Sequence, residues 1–206
     1  MLIDYKYLKS KFDFKPTSVL HIGGHRGEEQ PFYDDLGVLR TLWFEAIPES
    51  AEWMTKHFQD RGDVRVIQAC LSDGYGFVDF QITNNYASSS MLELGTHLQH
   101  HPKIYVEETK RVWTEPLEVL MAKIQEKPKN YDTMNIDVQG AELKVLKGYG
   151  KQLYNIKYIY CEVNREELYK GCCLVHEIDN YLGDFGFNRV ETMWTDKQWG
   201  DALYIK

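Results

Sequence analysis

Residues 134–148 read Met134-Asn135-Ile136-Asp137-Val138-Gln139-Gly140-Ala141-Glu142-Leu143-Lys144-Val145-Leu146-Lys147-Gly148. The first part alternates as a strand does, through Met134, Ile136 and Val138. A turn at Gly140 follows, and a helix opens that carries Glu142, Leu143, Val145 and Leu146. The strand carries an acid, Asp137, at its carboxyl end. In open α/β sheets, that end of a buried strand lies at the ligand-binding crevice.

The same alternation of strand and helix runs outward in both directions. Strands are predicted at 17–22, 38–45, 64–69, 77–82, 104–114, 131–137 and 157–163, with a closing antiparallel pair at 187–192 and 201–205. Helices are predicted at 4–12, 28–36, 49–58, 116–123, 140–147 and 174–183, with a weak one at 92–101. Gly37 stands just past one helix, and Pro48 opens another. Strands that alternate with helices imply an α/β fold: a mostly parallel sheet covered on both faces, with an antiparallel edge. Without repeats or low-complexity linkers, the chain is expected to form a single domain over 1–206, with 1–15 as an N-terminal helical extension. The polar loop 84–90 (NNYASSS) is the expected flexible lip.

Composition narrows the partners. The 206 residues carry 31 Asp and Glu against 24 Lys and Arg, a formal charge of -7. That balance argues against a nucleic-acid backbone as partner, since phosphates need a basic face. No apolar run approaches the ~18–20 residues of a membrane span, and the N-terminus lacks a signal-peptide core. The four cysteines (Cys70, Cys161, Cys172, Cys173) include no C-x-x-C pair and read as reduced thiols of a cytoplasmic protein.

The segment from Val19 to Glu28 is a strand, a glycine turn and a helix start, with Gly23, Gly24 and Gly27 in the turn. Glycine admits positive φ and a close ligand approach. About twenty residues on, Glu45 ends the next strand, where a carboxylate can accept both hydroxyls of a ribose. A nucleoside cofactor fits both features. A dinucleotide fingerprint needs further glycines at the third and sixth positions. From Gly23 these are His25 and Glu28. Glu28 and Glu29 would also repel a pyrophosphate at the helix start. S-adenosylmethionine has no phosphate and carries a sulfonium cation, so it is favoured over NAD.

Taken together, these blocks resemble the FkbM family of S-adenosylmethionine-dependent methyltransferases. The resemblance runs through His21-Ile22-Gly23-Gly24-His25-Arg26-Gly27, Phe44-Glu45-Ala46-Ile47-Pro48, and Ala69-Cys70-Leu71-Ser72-Asp73 with Gly76. It continues through Asn135-Ile136-Asp137-Val138-Gln139-Gly140-Ala141-Glu142 to Leu146 and Gly148, and ends in Cys161-Glu162-Val163, spanning about 17–165. His21 stands where the family usually has Asp, His25 where it has Asn, and Gln139 where it has Glu. The resemblance implies the class I methyltransferase fold, a Rossmann-like seven-stranded sheet with its final strand antiparallel. It also implies O-methylation, often of a sugar or polyketide-type hydroxyl. Carried over by position, Gly23, Gly24 and Gly27 shape the cofactor turn, and Glu45 with Ala46 holds the ribose. His21 and His25 face the cofactor. Cys70, Leu71 and Ser72 border the adenine, and Asp137 lies near the methionine moiety and the acceptor.

Methyl transfer to a sugar hydroxyl requires alignment and removal of a proton from a poor acid. Asp137 is the first candidate base, His25 the second and Glu162 the third. A helix-capping role is the plain alternative for Asp137. Asp137, Glu162 and Asn164 offer oxygens to a divalent metal such as Mg²⁺, without a motif that demands one, so no metal ligand is assigned. His97, His100 and His101 lie in a polar stretch without cysteine partners and read as solvated rather than zinc-binding. Ser88, Ser89 and Ser90 lack the glycines of a nucleophile elbow. Trp194 and Trp199 are read as edge packing before sugar stacking.

The expected partner is a sugar or glycan acceptor. The chain reads either as a stand-alone enzyme or as part of a larger glycosyltransferase polypeptide. Two other functions stay open: an NAD-dependent oxidoreductase, and a non-catalytic cofactor- or carbohydrate-binding module.

Overall fold

A computed structural model describes residues 1–206. In chain order, α1 (Tyr5–Phe12) leads into β1 (Ser18–Ile22), α2 (Gln30–Leu36), β2 (Arg40–Glu45), α3 (Pro48–His57) and β3 (Val64–Gln68). Next come β4 (Cys70–Leu71), β5 (Gly76–Thr83), α4 (His97–His100), β6 (Val106–Glu115) and α5 (Leu117–Lys123). The chain closes with β7 (Thr133–Ile136), α6 (Glu142–Tyr149), β8 (Tyr158–Asn164), α7 (Val175–Gly183), β9 (Asn188–Trp194) and β10 (Trp199–Ile205).

Seven strands form the main sheet in the order β3-β2-β1-β7-β8-β10-β9. The pairs from β3 through β8 are parallel, and β10 runs antiparallel to both β8 and β9. The strand order reverses between β1 and β7, so their carboxyl ends splay into a crevice at that switch point. Each β1 residue is buried, because helices cover both faces. Alternation sends Leu20 and Ile22 to one face, against Met134, Ile136, Val145 and Leu146. Val19 points to the other face, with Tyr33, Trp43, Met54 and Phe58 from α2, β2, α3 and its cap. Helix α1 adds Leu8 to a smaller cluster with Ile3, Phe14, Tyr160 and Leu203. No helix is long and apolar enough to cross a membrane.

Several sequence expectations shift. Helix α2 begins at Gln30 rather than at 28. Glu28 instead turns its side chain onto the Arg26 N–H and the His25 ring, a local competition that keeps residues 24–29 in turns. The weak helix at 92–101 contracts to the single turn of α4. The strands around 77–82 and 104–114 do not join the main sheet. They pair antiparallel as β5 and β6 in a separate three-stranded sheet, ordered β4-β6-β5. The chain steps into that sheet at Ala69, whose N–H still donates to the Glu45 carbonyl. The small sheet packs Phe80 and Ile82 against Ile47 and Cys70, forming a wall beside the crevice.

Candidate active site

A cleft of about 330 Å³ opens at the switch point, lined from β1, β2, β7, β8, the small sheet and the loop 86–91. That volume lies at the lower end of small-molecule sites. Its floor is set by Gly23, at φ 87°. A Cβ there would collide with the Asp137 carbonyl oxygen, so only glycine lets the β1 and β7 ends converge. The Gly23 and Gly24 N–H groups both donate to the Phe44 carbonyl, tying this turn to β2.

Glu45 is buried at the end of β2. Its Oε2 accepts the His25 N–H at 2.7 Å and its Oε1 accepts the Ile47 N–H at 2.7 Å. Burial raises the carboxyl's pKa, and the two N–H donors oppose that rise. Each oxygen keeps lone pairs free, so the pair can take two adjacent hydroxyls. Beside it the cleft is apolar, with Ile47, Cys70, Leu71, Phe80, Tyr86 and Met91 in its wall. Burial, with Glu45 nearby, pushes the Cys70 thiol up to about 12, so it serves as neutral wall rather than nucleophile.

The other end of the cleft is acidic. Asp137 opens to the cleft's solvent. Protein still encloses it on the remaining sides, and with Asp201 nearby its carboxyl is pushed up to about 6. Glu162 is buried at the end of β8, and burial followed by Asp137, Glu142 and Asp201 pushes it well above the usual carboxylate range. Gln139 Nε2 donates to Asp137 Oδ1 at 2.6 Å and to Glu162 Oε2 at 3.0 Å. Asp201 lies directly across from Glu162 on β10 and accepts the Tyr160 hydroxyl and the Leu2 N–H, both at 2.5 Å. Two carboxyls opposite each other repel when both are ionised, and each raises the other's pKa.

His21 points to the α2 face. Its ring stacks on Trp43 at 3.9 Å between centroids, and its Nδ1 meets the Tyr33 hydroxyl at 2.8 Å. Asn135 Nδ2 donates to that hydroxyl at 2.8 Å, so the Tyr33 proton is directed at His21 Nδ1. Burial holds the imidazole neutral, pushed down to about 3.

Most of the residues nominated from sequence line the cleft: His21, Gly23, Gly24, His25, Glu45, Ala46, Cys70, Leu71, Asp137 and Glu162. Gly27 and Ser72 lie behind its wall. Gly27, at φ 72°, packs on the Phe58 ring, and Ser72 Oγ donates to Asp73. The His25 ring turns to Glu28 at 2.7 Å, on the Glu45 side of the turn. Asn164 is fully buried with neither amide atom partnered, away from the cleft lining.

No three His, Cys, Asp or Glu side chains converge in metal-ligand geometry. His97 is buried against Tyr169, with ring centroids 5.3 Å apart, while His100 pairs with Glu166 at 2.5 Å. Ser88, Ser89 and Ser90 are buried in a hydrogen-bonded turn rather than displayed: Ser89 Oγ accepts the Thr83 N–H, and Ser90 Oγ donates to the Gln139 carbonyl. Arg165 stacks over Trp194 at 3.9 Å, and Trp199 packs beside Leu94 and Leu168.

Sequence reasoning missed Tyr33, Asn135, Tyr160, Asp201 and Phe80. Only the polar Asn135, inside an apolar strand, carried a local signal. Glu142 was read as an ordinary helix residue. It is fully buried, and its Oε1 accepts the Val138 and Gly140 N–H groups at 3.1 and 3.0 Å, clasping the turn that presents Asp137.

Residues 21–189 match the sequence model of the methyltransferase FkbM domain. A 2-O-methyltransferase, NoeI of Sinorhizobium fredii, is 26% identical over 179 residues, 83% of this chain and 73% of that protein. Among solved structures, methyltransferase FkbM from Methylobacillus flagellatus KT aligns with a TM-score of 0.60 at 12% identity, over 93% of this chain. This chain spans 44% of that one, less than half its length. M. capricolum TrmK in complex with S-adenosyl-homocysteine aligns at TM-score 0.52 and 9% identity, over 100% of this chain and 69% of that one. A SAM dependent methyltransferase from Aquifex aeolicus aligns at 0.51 and 12% identity, over 99% and 90%. At such identities the likeness shows a shared fold.

Proposed function

The chain belongs to the FkbM methyltransferase family, and from that premise we propose that it is an S-adenosylmethionine-dependent O-methyltransferase acting on a sugar or glycan hydroxyl. One observation carries the cofactor assignment. The charged side chains lining the cleft are the carboxyls of Glu28, Glu29, Glu45, Asp137, Glu162 and Asp201, and no Lys or Arg joins them. A pyrophosphate would meet a lining of net negative charge, offset only by the Met1 ammonium, which already pairs with Glu29 at 3.4 Å. A ligand with a sulfonium and an ammonium would meet opposite charge.

The residues fit that ligand in order. Glu45 would hold the ribose hydroxyls. The wall of Ile47, Cys70, Leu71 and Phe80 would enclose the purine, and the acids beyond Gly23 would face the methionine end. His25 would fix Glu45 through its backbone N–H and close the turn. When bound, S-adenosylmethionine supplies an electrophilic methyl group.

Asp137 and Glu162 divide the proton work between them. Asp137, pushed up to about 6, is largely ionised at neutral pH and open to the cleft. It would receive the proton of the acceptor hydroxyl. Glu162, buried beside it and pushed well above the usual carboxylate range, would be the readier of the two to hold a proton. A sugar acceptor is supported by the similarity to a 2-O-methyltransferase.

Calorimetry with S-adenosylhomocysteine tests the cofactor half. The wild type should bind it in preference to NAD, and Glu45→Gln should weaken it by about tenfold to a hundredfold, the loss of one or two charge-assisted bonds. No heat at millimolar ligand would remove the proposal. A mass-spectrometric screen of sugar acceptors tests the other half: a product heavier by one methylene should form with wild type and vanish with Asp137→Ala.

A further inference from the structure

At the ends of β7 and β8 a single amide joins two carboxyls. Gln139 Nε2 has two protons and donates both, one to Asp137 Oδ1 and one to Glu162 Oε2. The far end of the amide has a partner too: the Tyr169 hydroxyl, with one proton for two acceptors, lies 2.6 Å from Gln139 Oε1 and 3.1 Å from the Ser88 carbonyl, so the amide is the nearer acceptor. Turning the amide over would set its oxygen against the ionised Asp137 and leave that carboxylate without a donor. The backbone is also held. Gln139 sits in the left-handed region at φ 55°, and its carbonyl accepts Ser90 Oγ at 2.8 Å. A non-glycine residue persists there only where its surroundings demand it.

We propose that Gln139 is the positioning residue of this site: a neutral clamp that keeps the Asp137 and Glu162 carboxyls as one fixed pair and leaves Asp137 free to take the acceptor's proton without a bound cation. This role presupposes the methyl-transfer reading above.

The reasoning is electrostatic. Asp137 and Glu142 flank the clamp on its own turn. Asp201 acts on both carboxyls from β10, and Tyr169 stands near them from the segment after β8, while the neutral Cys161 thiol lies next to Glu162 on β8, in the core. Glu29 and the Met1 ammonium act on Asp137 from the N-terminal side. That ammonium is the only full cation in the group. A third carboxylate at 139 would have the size of the amide but none of its protons. The pair would then have to take up protons or recruit a divalent cation. Shortening or deleting the amide would leave both carboxyls without a donor.

The test uses the full chain as wild type, Gln139→Glu, Gln139→Ala and Tyr169→Phe. Two readouts need no acceptor: the thermal midpoint against pH, and Mn²⁺ binding followed by electron paramagnetic resonance. Gln139→Glu should lose stability as pH rises through the neutral range and regain it with Mn²⁺, which it should bind where the wild type does not. With the acceptor from the screen, the acid limb of the wild-type rate should rise near pH 6. In Gln139→Glu that limb should move up by about a unit or more, and Mn²⁺ or Mg²⁺ should restore activity. Gln139→Ala should lose more than about tenfold in kcat through misplacement of the base. Tyr169→Phe should fall between it and the wild type.

A Gln139→Glu protein with the wild-type pH profile and no response to Mn²⁺ would overturn the clamp. If Gln139→Ala unfolds, the isosteric Gln139→Glu still decides. Absence of S-adenosylhomocysteine binding by the wild type would sink the methyl-transfer reading instead, so the two failures are distinguishable.

Discussion

Gly23 and Asp137 meet backbone to backbone: a Cβ on Gly23 would run into the Asp137 carbonyl oxygen. The Asp137 N–H also donates to the Ile22 carbonyl at 2.9 Å, so β1 and β7 stay paired up to the point where they diverge. The crevice therefore begins at a contact that only glycine allows. Gly23→Ala must adopt φ 87° with a side chain and also push β7 away. It should cost at least about 2 kcal/mol, combining left-handed strain with the steric term. Urea denaturation would measure the loss, and calorimetry should show weaker S-adenosylhomocysteine binding. An unchanged midpoint would contradict the contact.

Asp137 should destabilise the protein at the pH where it works. Enclosure by the cleft walls and the neighbouring Asp201 push its carboxyl from 3.8 up to about 6. Below the lower value both folded and unfolded chains hold the proton. As pH rises between the two, the unfolded chain ionises first, and stability falls until the folded acid has ionised too. Cleft water screens part of this effect. Asp137→Asn removes it. Its thermal midpoint should exceed that of the wild type at pH 7 and should converge with it near pH 4, while methyl transfer is lost. A midpoint difference that stays constant across this range would mean the carboxyl is not raised.

The parts of the site that could be read in the chain are those built from contiguous residues. The glycine turn after β1, Glu45 at the end of β2 and Asp137 at the end of β7 each follow from a strand ending in a turn, and the cleft gathers all three. The rest depends on register. Asp201 enters because β10 pairs with β8 so that it faces Glu162, and a slip of one residue would turn it away. The wall that carries Phe80 exists because Cys70–Leu71 pairs with Thr114–Glu115, more than forty residues later. His21 looked like a departure from an acid. Its setting is legible only when Tyr33, Trp43 and Asn135 are brought to it from α2, β2 and β7.

That buried group around His21 carries its own prediction. Tyr33→Phe would leave His21 Nδ1 and the Asn135 amide without their partner, at a cost of about 1–3 kcal/mol. The imidazole also sets an acid limit. It stays neutral in the fold, pushed down to about 3 from 6.5, mainly by burial. As pH falls below 6.5 the unfolded chain takes the proton first, so stability is lost from there towards pH 3. This slope runs opposite to that of Asp137. Replacing His21 by Gln should flatten acid unfolding in this window. Equal slopes for the two proteins would show that the imidazole is protonated within the fold.

Glu142 gives the sharpest contrast between two small changes. Its Oε1 accepts both the Val138 and Gly140 N–H groups, and the side chain is fully buried. Burial pushes its carboxyl up to about 7, with Asp137 adding to the rise and the backbone donors opposing it. A negative charge is therefore not what the turn needs; an oxygen in that position is. Glu142→Gln supplies one and removes a neighbour that repels Asp137, so its unfolding free energy at pH 8 should match or exceed that of the wild type. Glu142→Ala orphans two buried N–H groups and opens a cavity, at a cost of about 2–5 kcal/mol. Hydrogen exchange at the Val138 and Gly140 amides reads the clasp directly. Protection there should survive in Gln and collapse in Ala. Equal protection in both variants would mean that the turn holds itself and that Glu142 belongs to the core alone.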